Sequence, residues 1–107
     1  MNLEGRVKSY RKVAKIGDVP FNGGLKISIE EEEIALFNLG GEFYAINDCC
    51  PHRGASLNEG FLDQDSVLCP LHCFDFNLKT GESKIASHLR VATYPIKIED
   101  GCVFILY

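Results

Sequence analysis

The chain has 107 residues, 46% of them apolar and 24% charged, the balance of one soluble globular domain with room for a single hydrophobic core. Its net charge of −4 argues against nucleic acid as a partner, which calls for a basic patch, and no run approaches the ~18 apolar residues of a membrane span. Residues Met1 to Lys15 hold no apolar signal-peptide core, so the expected location is cytoplasmic, with no membrane partner.

In chain order the pattern reads as all-β. Leu25 to Ile29 alternates apolar and polar residues, as a half-buried strand does, Glu30 to Glu33 forms a polar tip, and Ile34 to Leu39 returns as a largely apolar strand. Gly40-Gly41 marks the next turn, and Glu42 to Ile46 is rich in β-formers. The stretch from Asn47 to Gly81 interrupts this regularity, with a short strand around Val67 inside it. Thr93 to Glu99 is expected as one strand with Tyr94, Ile96 and Ile98 on one face and Pro95 at an edge or bulge. Asp100-Gly101 is a hairpin turn signal, and Cys102 to Tyr107 closes the chain. Short strands with regular turns predict a sandwich or small barrel, with no second domain.

The chemistry is concentrated in two short loops, Cys50-Pro51-His52-Arg53-Gly54 and Cys69-Pro70-Leu71-His72. Five cysteines are an odd number, and without a secretory signal, metal or cluster ligation explains at least two of them better than a disulfide scaffold. Each loop offers one thiolate and one imidazole. That donor set matches a [2Fe–2S] centre in which two histidines replace two cysteines on one iron. Two thiolates and two neutral imidazoles leave the oxidised cluster neutral, where four thiolates leave it a dianion. Such centres therefore sit at roughly −150 to +300 mV, against about −400 mV for four-cysteine clusters. Pro51 and Pro70 stiffen the loops, and Gly54 permits close approach or positive φ beside the cluster. The alternative on the same residues is a structural zinc site in an interaction module, but its usual spacing is C-x₂₋₄-C with H-x₃₋₅-H.

The stretch from Cys69 through His72-Cys73-Phe74-Asp75-Phe76-Asn77-Leu78-Lys79-Thr80-Gly81, together with the first loop, resembles the Rieske family. More narrowly, it is similar to the small soluble branch: Rieske ferredoxins of ring-hydroxylating dioxygenases and small subunits of NAD(P)H-dependent nitrite reductases. The resemblance spans essentially the whole chain. It implies a Rieske-like antiparallel β-sandwich with a small cluster-binding subdomain inserted between strands. A single domain over 1–107 would divide into a basal fold at about 1–46 and 82–107 and a cluster-binding part at about 47–81. It also implies one [2Fe–2S] cluster per chain, with Cys50 and Cys69 on one iron, His52 and His72 on the other, and an exposed imidazole edge where the electron passes.

High-potential members of the family have an extra cysteine in each loop, joined by a disulfide; the matching positions here are Ala55 and Leu71. Their Ser and Tyr hydroxyls near the cluster sulfurs correspond to Phe74 and Phe76. Loss of those donors destabilises the reduced state, so a potential near the bottom of the Rieske range is expected. Phe74 and Phe76 themselves read as a hydrophobic cover.

Other singular residues read more plainly. Cys49 and Cys73 are expected as small buried residues, with a redox-sensitive pair as the sharper alternative, and Cys102 as core. His88 is expected at the surface and Glu30 to Glu33 as a solvated tip, with steering of a basic partner the alternative. Arg53 is placed for packing or a partner contact. Asp65, Asp75 and Glu82 show no evident pairing. There is no nucleophile–base pair and no flavin or nicotinamide fingerprint, so no catalysis is expected of the isolated chain. The expected function is single-electron transfer from a flavin-dependent reductase to a terminal oxygenase, or, as the alternative, service as the small subunit beside the large subunit of a nitrite reductase.

Overall fold

In the computed structural model, which describes residues 8–51, 54–71 and 74–107, the run Ile34-Ala35-Leu36-Phe37 is wholly buried. A strand achieves that only when both of its faces are covered. It belongs to strand β3 (Glu32–Leu39), one of the two inner strands of a sheet ordered β2-β3-β4-β8, with β2 at Gly23–Ile29, β4 at Glu42–Asn47 and β8 at Thr93–Tyr94. Ile34 and Leu36 pack with Ala45, Val103, Ile105 and Tyr107 in one core, whereas Ala35 and Phe37 pack with Ile46, Leu57, Val67 and Phe76 in another. Period-two alternation thus sends neighbouring residues of one strand into two different cores.

The first core lies against a sheet ordered β1-β10-β9, from Tyr10–Lys15, Cys102–Leu106 and Ile96–Glu99. The second lies against a small sheet ordered β5-β6-β7, from Phe61–Asp63, Ser66–Leu68 and Asp75–Asn77. All strand pairings within the sheets are antiparallel. The all-β, antiparallel expectation is met.

The β2–β3 hairpin, the Gly40-Gly41 turn, β4, the strand around Val67 and the Asp100-Gly101 hairpin fall where the pattern puts them. Asp100 and Gly101 both have positive φ (53° and 74°), the requirement of a tight two-residue hairpin turn. Thr93 to Glu99 is not one strand. It splits at Pro95: β8 pairs with β4, β9 pairs with β10, and the chain changes sheet between them. Proline has no N–H for a ladder, so the break costs no hydrogen bond at that residue. Tyr94 and Ile96 still pack on the first core, but Ile98 is exposed. The glutamate tip is also more engaged than expected. Glu30 pairs with Arg11 at 3.1 Å, Glu32 accepts from Tyr107 and Asn47, and Glu33 faces Lys26 at 3.6 Å.

Candidate metal centre

The two cysteine loops are built alike. The amide of Cys50 donates to the carbonyl of Ala55 at 2.9 Å, and the amide of Cys69 donates to the carbonyl of Phe74 at 2.8 Å. Each loop is therefore closed at its base by a bond from the cysteine to the residue five positions on. Both cysteine side chains are buried in the second core, with Leu57, Val67 and Phe76. Pro51, Gly54, Pro70 and Leu71 are exposed, which sets the thiols inside and the loop tips at the surface. Gly54 takes positive φ (74°), which glycine adopts without strain and which tightens the first loop.

Buried carboxylates hold both loops from behind, and nothing in the local pattern announced them. Asp48 precedes the first loop. Its amide donates to Glu33 of β3, its carbonyl accepts from Leu57, its carboxylate accepts from the Asn58 amide at 2.8 Å, and Lys26 lies 3.6 Å away. Asp75 follows the second loop. Its carboxylate accepts from the Ser83 hydroxyl at 3.0 Å and from the amides of Lys84 and Ile85 at 3.1 Å. Burial pushes the Asp75 pKa up, but the Ile85 and Lys84 amides and the Ser83 hydroxyl outweigh it, leaving the group below its usual value. Asp75 is thus no unpaired acid, and Glu82 faces Arg90 at 3.8 Å.

Past the second loop, Asn77 folds the chain back by accepting from the amides of Lys79 and Thr80. Gly81 then sits at φ 80°, where a Cβ would press into the Val91 carbonyl. Its amide donates to Asn77 and its carbonyl accepts from Val91.

Of the four expected ligands, Cys50 and Cys69 come together in one core, whereas His52 and His72 lie outside the described residues, as do Arg53 and Cys73. Among the described residues no group of three metal-ligating side chains assembles. Two inward-facing cysteines on matched loops fit the thiolate half of a [2Fe–2S] donor set. Cys49 is exposed rather than buried, and Cys102 is partly exposed on the outward face of β10, because Val103 and Ile105 take the inward positions. His88 is exposed as expected, Phe76 is fully buried in the second core, and Phe74 is half-buried at its edge.

Layered antiparallel sheets presenting two matched cysteine loops define a small β-protein built to hold a metal centre. The chain belongs to the Rieske family: the Rieske [2Fe-2S] domain matches residues 9–95, and with it comes a Rieske-type [2Fe–2S] cluster. The ferredoxin subunit of 3-phenylpropionate/cinnamic acid dioxygenase from Escherichia coli K12 is 47% identical over 92 residues, covering 84% of this chain and 86% of that subunit. Among solved structures, the ferredoxin of Sphingomonas yanoikuyae B1 is 28% identical with a TM-score of 0.84, covering 92% of this chain and 99% of that one. A Mycobacterium tuberculosis chain assigned as the small subunit of an NADH-dependent nitrite reductase shares the fold, with a TM-score of 0.87 at 17% identity and coverage of 95% and 97%.

Proposed function

We propose that this chain is the one-electron carrier of a dioxygenase system, taking an electron from a flavin-dependent reductase and passing it to a terminal oxygenase. The observation that carries the reading is the 47% identity to a dioxygenase ferredoxin subunit, running through both cysteine loops. In this reading Cys50 and Cys69 hold one iron and His52 and His72 the other, with residues 47–81 as the cluster-binding part. The cluster supplies the one-electron couple. The protein's part is to bury the thiolate side in an apolar core and bring the loop tips to the surface.

The nitrite reductase alternative rests on likeness to solved small subunits at 17–26% identity, well below the 47% to the dioxygenase ferredoxin subunit, and carries less weight. No helix among the described residues is long and apolar enough to cross a membrane, and we place the carrier in the cytoplasm.

The test is the visible and EPR spectrum of purified protein with iron and acid-labile sulfide analysis, followed by electron delivery to an aromatic-ring dioxygenase. A rhombic reduced-cluster signal and oxygenase turnover are expected. Stoichiometric zinc in a colourless protein would reject the reading in favour of a structural zinc module. Electron delivery only to a sirohaem nitrite reductase would transfer it to the alternative.

A further inference from the structure

Antiparallel register places directly paired residues on the same face of a sheet. In the β5-β6-β7 sheet, Leu62, Val67 and Phe76 form the row that enters the second core. The outward rows are therefore Phe61–Leu68–Asp75 and Asp63–Ser66–Asn77. Among the described residues no strand or helix covers this outer face; the turn at Ser83–Ala86 lies over its Asp75 end. Phe61 is 71% exposed at one end, and Ile85, lining the same groove as Leu68, is 64% exposed at the other. Apolar side chains this exposed at both ends of one sheet face mark an interaction surface better than scattered single ones do.

Two further features say what fits there. Asp63 and Asp65 line the groove, and neither pairs with a cation among the described residues; Lys84 is the basic group beside them. Ile85 is also held in place, because its amide is tied to the buried Asp75 carboxylate. An apolar anchor ordered before binding loses little entropy on contact. The strip adjoins Cys69, since Leu68 precedes it directly, so a protein seated there lies against the second cysteine loop.

We propose that this outer face, with Phe61, Leu68 and Ile85 as apolar anchors and Asp63 and Asp65 as the electrostatic guide, docks an electron-transfer protein whose redox edge is ringed by lysine or arginine. The proposal rests on the electron-carrier reading and adds to it the lateral surface and the chemistry of the partner. A second copy of this chain is a poorer occupant, because two molecules of net charge −4 repel.

The test uses cluster-loaded protein reduced with dithionite, and a lysine-rich cytochrome c as the basic acceptor, mixed by stopped flow. The Asp63→Asn/Asp65→Asn variant should lower the second-order rate constant about three- to tenfold at low salt, the difference vanishing at high salt. Phe61→Ser and Ile85→Ser should each lower it about threefold at either salt concentration, since apolar contacts are not screened. A charge-matched control, Glu31→Gln/Asp100→Asn, lies on turns of the other two sheets and should have little effect. Equal losses in the control and the strip variants would overturn the proposal, as would no loss in either. A wild-type dimer made monomeric by Phe61→Ser would assign the strip to a second copy and overturn it too. Failure of the carrier reading looks different: the unmodified protein then shows no reducible cluster and no transfer at all.

Discussion

Asp75 accepts a hydrogen bond from the hydroxyl of Ser83 at 3.0 Å, and both side chains are buried. Ser83 in turn accepts from the amide of Ala86 at 3.0 Å. The pair ties β7, which leaves the second cysteine loop, to the turn at Ser83–Ala86. Asp75→Asn keeps the shape but replaces one acceptor oxygen with an NH₂ aimed at backbone donors. Leaving buried donors unpaired costs about 1–3 kcal/mol. Thermal unfolding followed by circular dichroism should show a melting temperature lower by roughly 4–8 °C for each kcal/mol lost. Ser83→Ala should cost a comparable amount: the Lys84 and Ile85 amides still reach the carboxylate, but the buried Ala86 amide loses its acceptor.

The same carboxylate makes a pH-dependent contribution whose sign follows from its partners. Its folded pKa lies below the ordinary value of 3.8, because the hydrogen bonds that favour the anion outweigh the burial that opposes it. A depressed acid contributes stability that is fully present above its unfolded pKa and is lost as pH falls through the folded one. The melting-temperature gap between the native protein and Asp75→Asn should therefore be flat from neutral pH to about 5 and narrow below about 4. A gap that widens on acidification would contradict the assignment.

The residues of this hub could not be recognised as one from local pattern. Asp75 is one acid in a stretch of alternating strand, and its partners arrive from eight to ten positions away only after the chain has turned at Gly81. Elements whose pattern is local were legible: the two cysteine loops, the β2–β3 hairpin and the Asp100-Gly101 turn. The first strand was not, because the pairing of Tyr10–Lys15 with β10 shifts register between Lys12 and Ala14 and breaks its alternation. The change of sheet at Pro95 was half legible, as the proline marked a fault in the strand without saying that the two halves join different sheets. Cys102 misled because an apolar neighbourhood in sequence does not say which face of a strand points inward.

Two glycines with nearly equal φ should respond differently to alanine. Gly81 (φ 80°) is hemmed in by the Val91 carbonyl, whereas nothing lies within 4 Å of the position a Cβ would take at Gly101 (φ 74°). Gly101→Ala should incur the backbone strain alone, about 1 kcal/mol. Gly81→Ala adds a clash that must move β8 or the turn after Asn77, for a total of about 2–4 kcal/mol. Chemical denaturation of the two variants side by side checks the order. Equal midpoints would mean that the Val91 carbonyl yields freely.

The described cysteines divide by burial: Cys50 and Cys69, the proposed ligands, are buried, whereas Cys49 and Cys102 are not. Cys69 is buried in the core that also holds Cys50, with its amide closing the second loop, whereas Cys49 is exposed beside the first loop. Serine is a poor substitute for a soft thiolate on iron, so Cys50→Ser and Cys69→Ser should each lose the visible spectrum along with most iron and labile sulfide. Cys49→Ser should keep all three and alter stability by less than about 0.5 kcal/mol, as exposed substitutions do. Iron and sulfide per chain in the three variants, measured with the folded state verified by circular dichroism, decide the matter. Retention of the cluster in Cys69→Ser, or its loss in Cys49→Ser, would require a different ligand set.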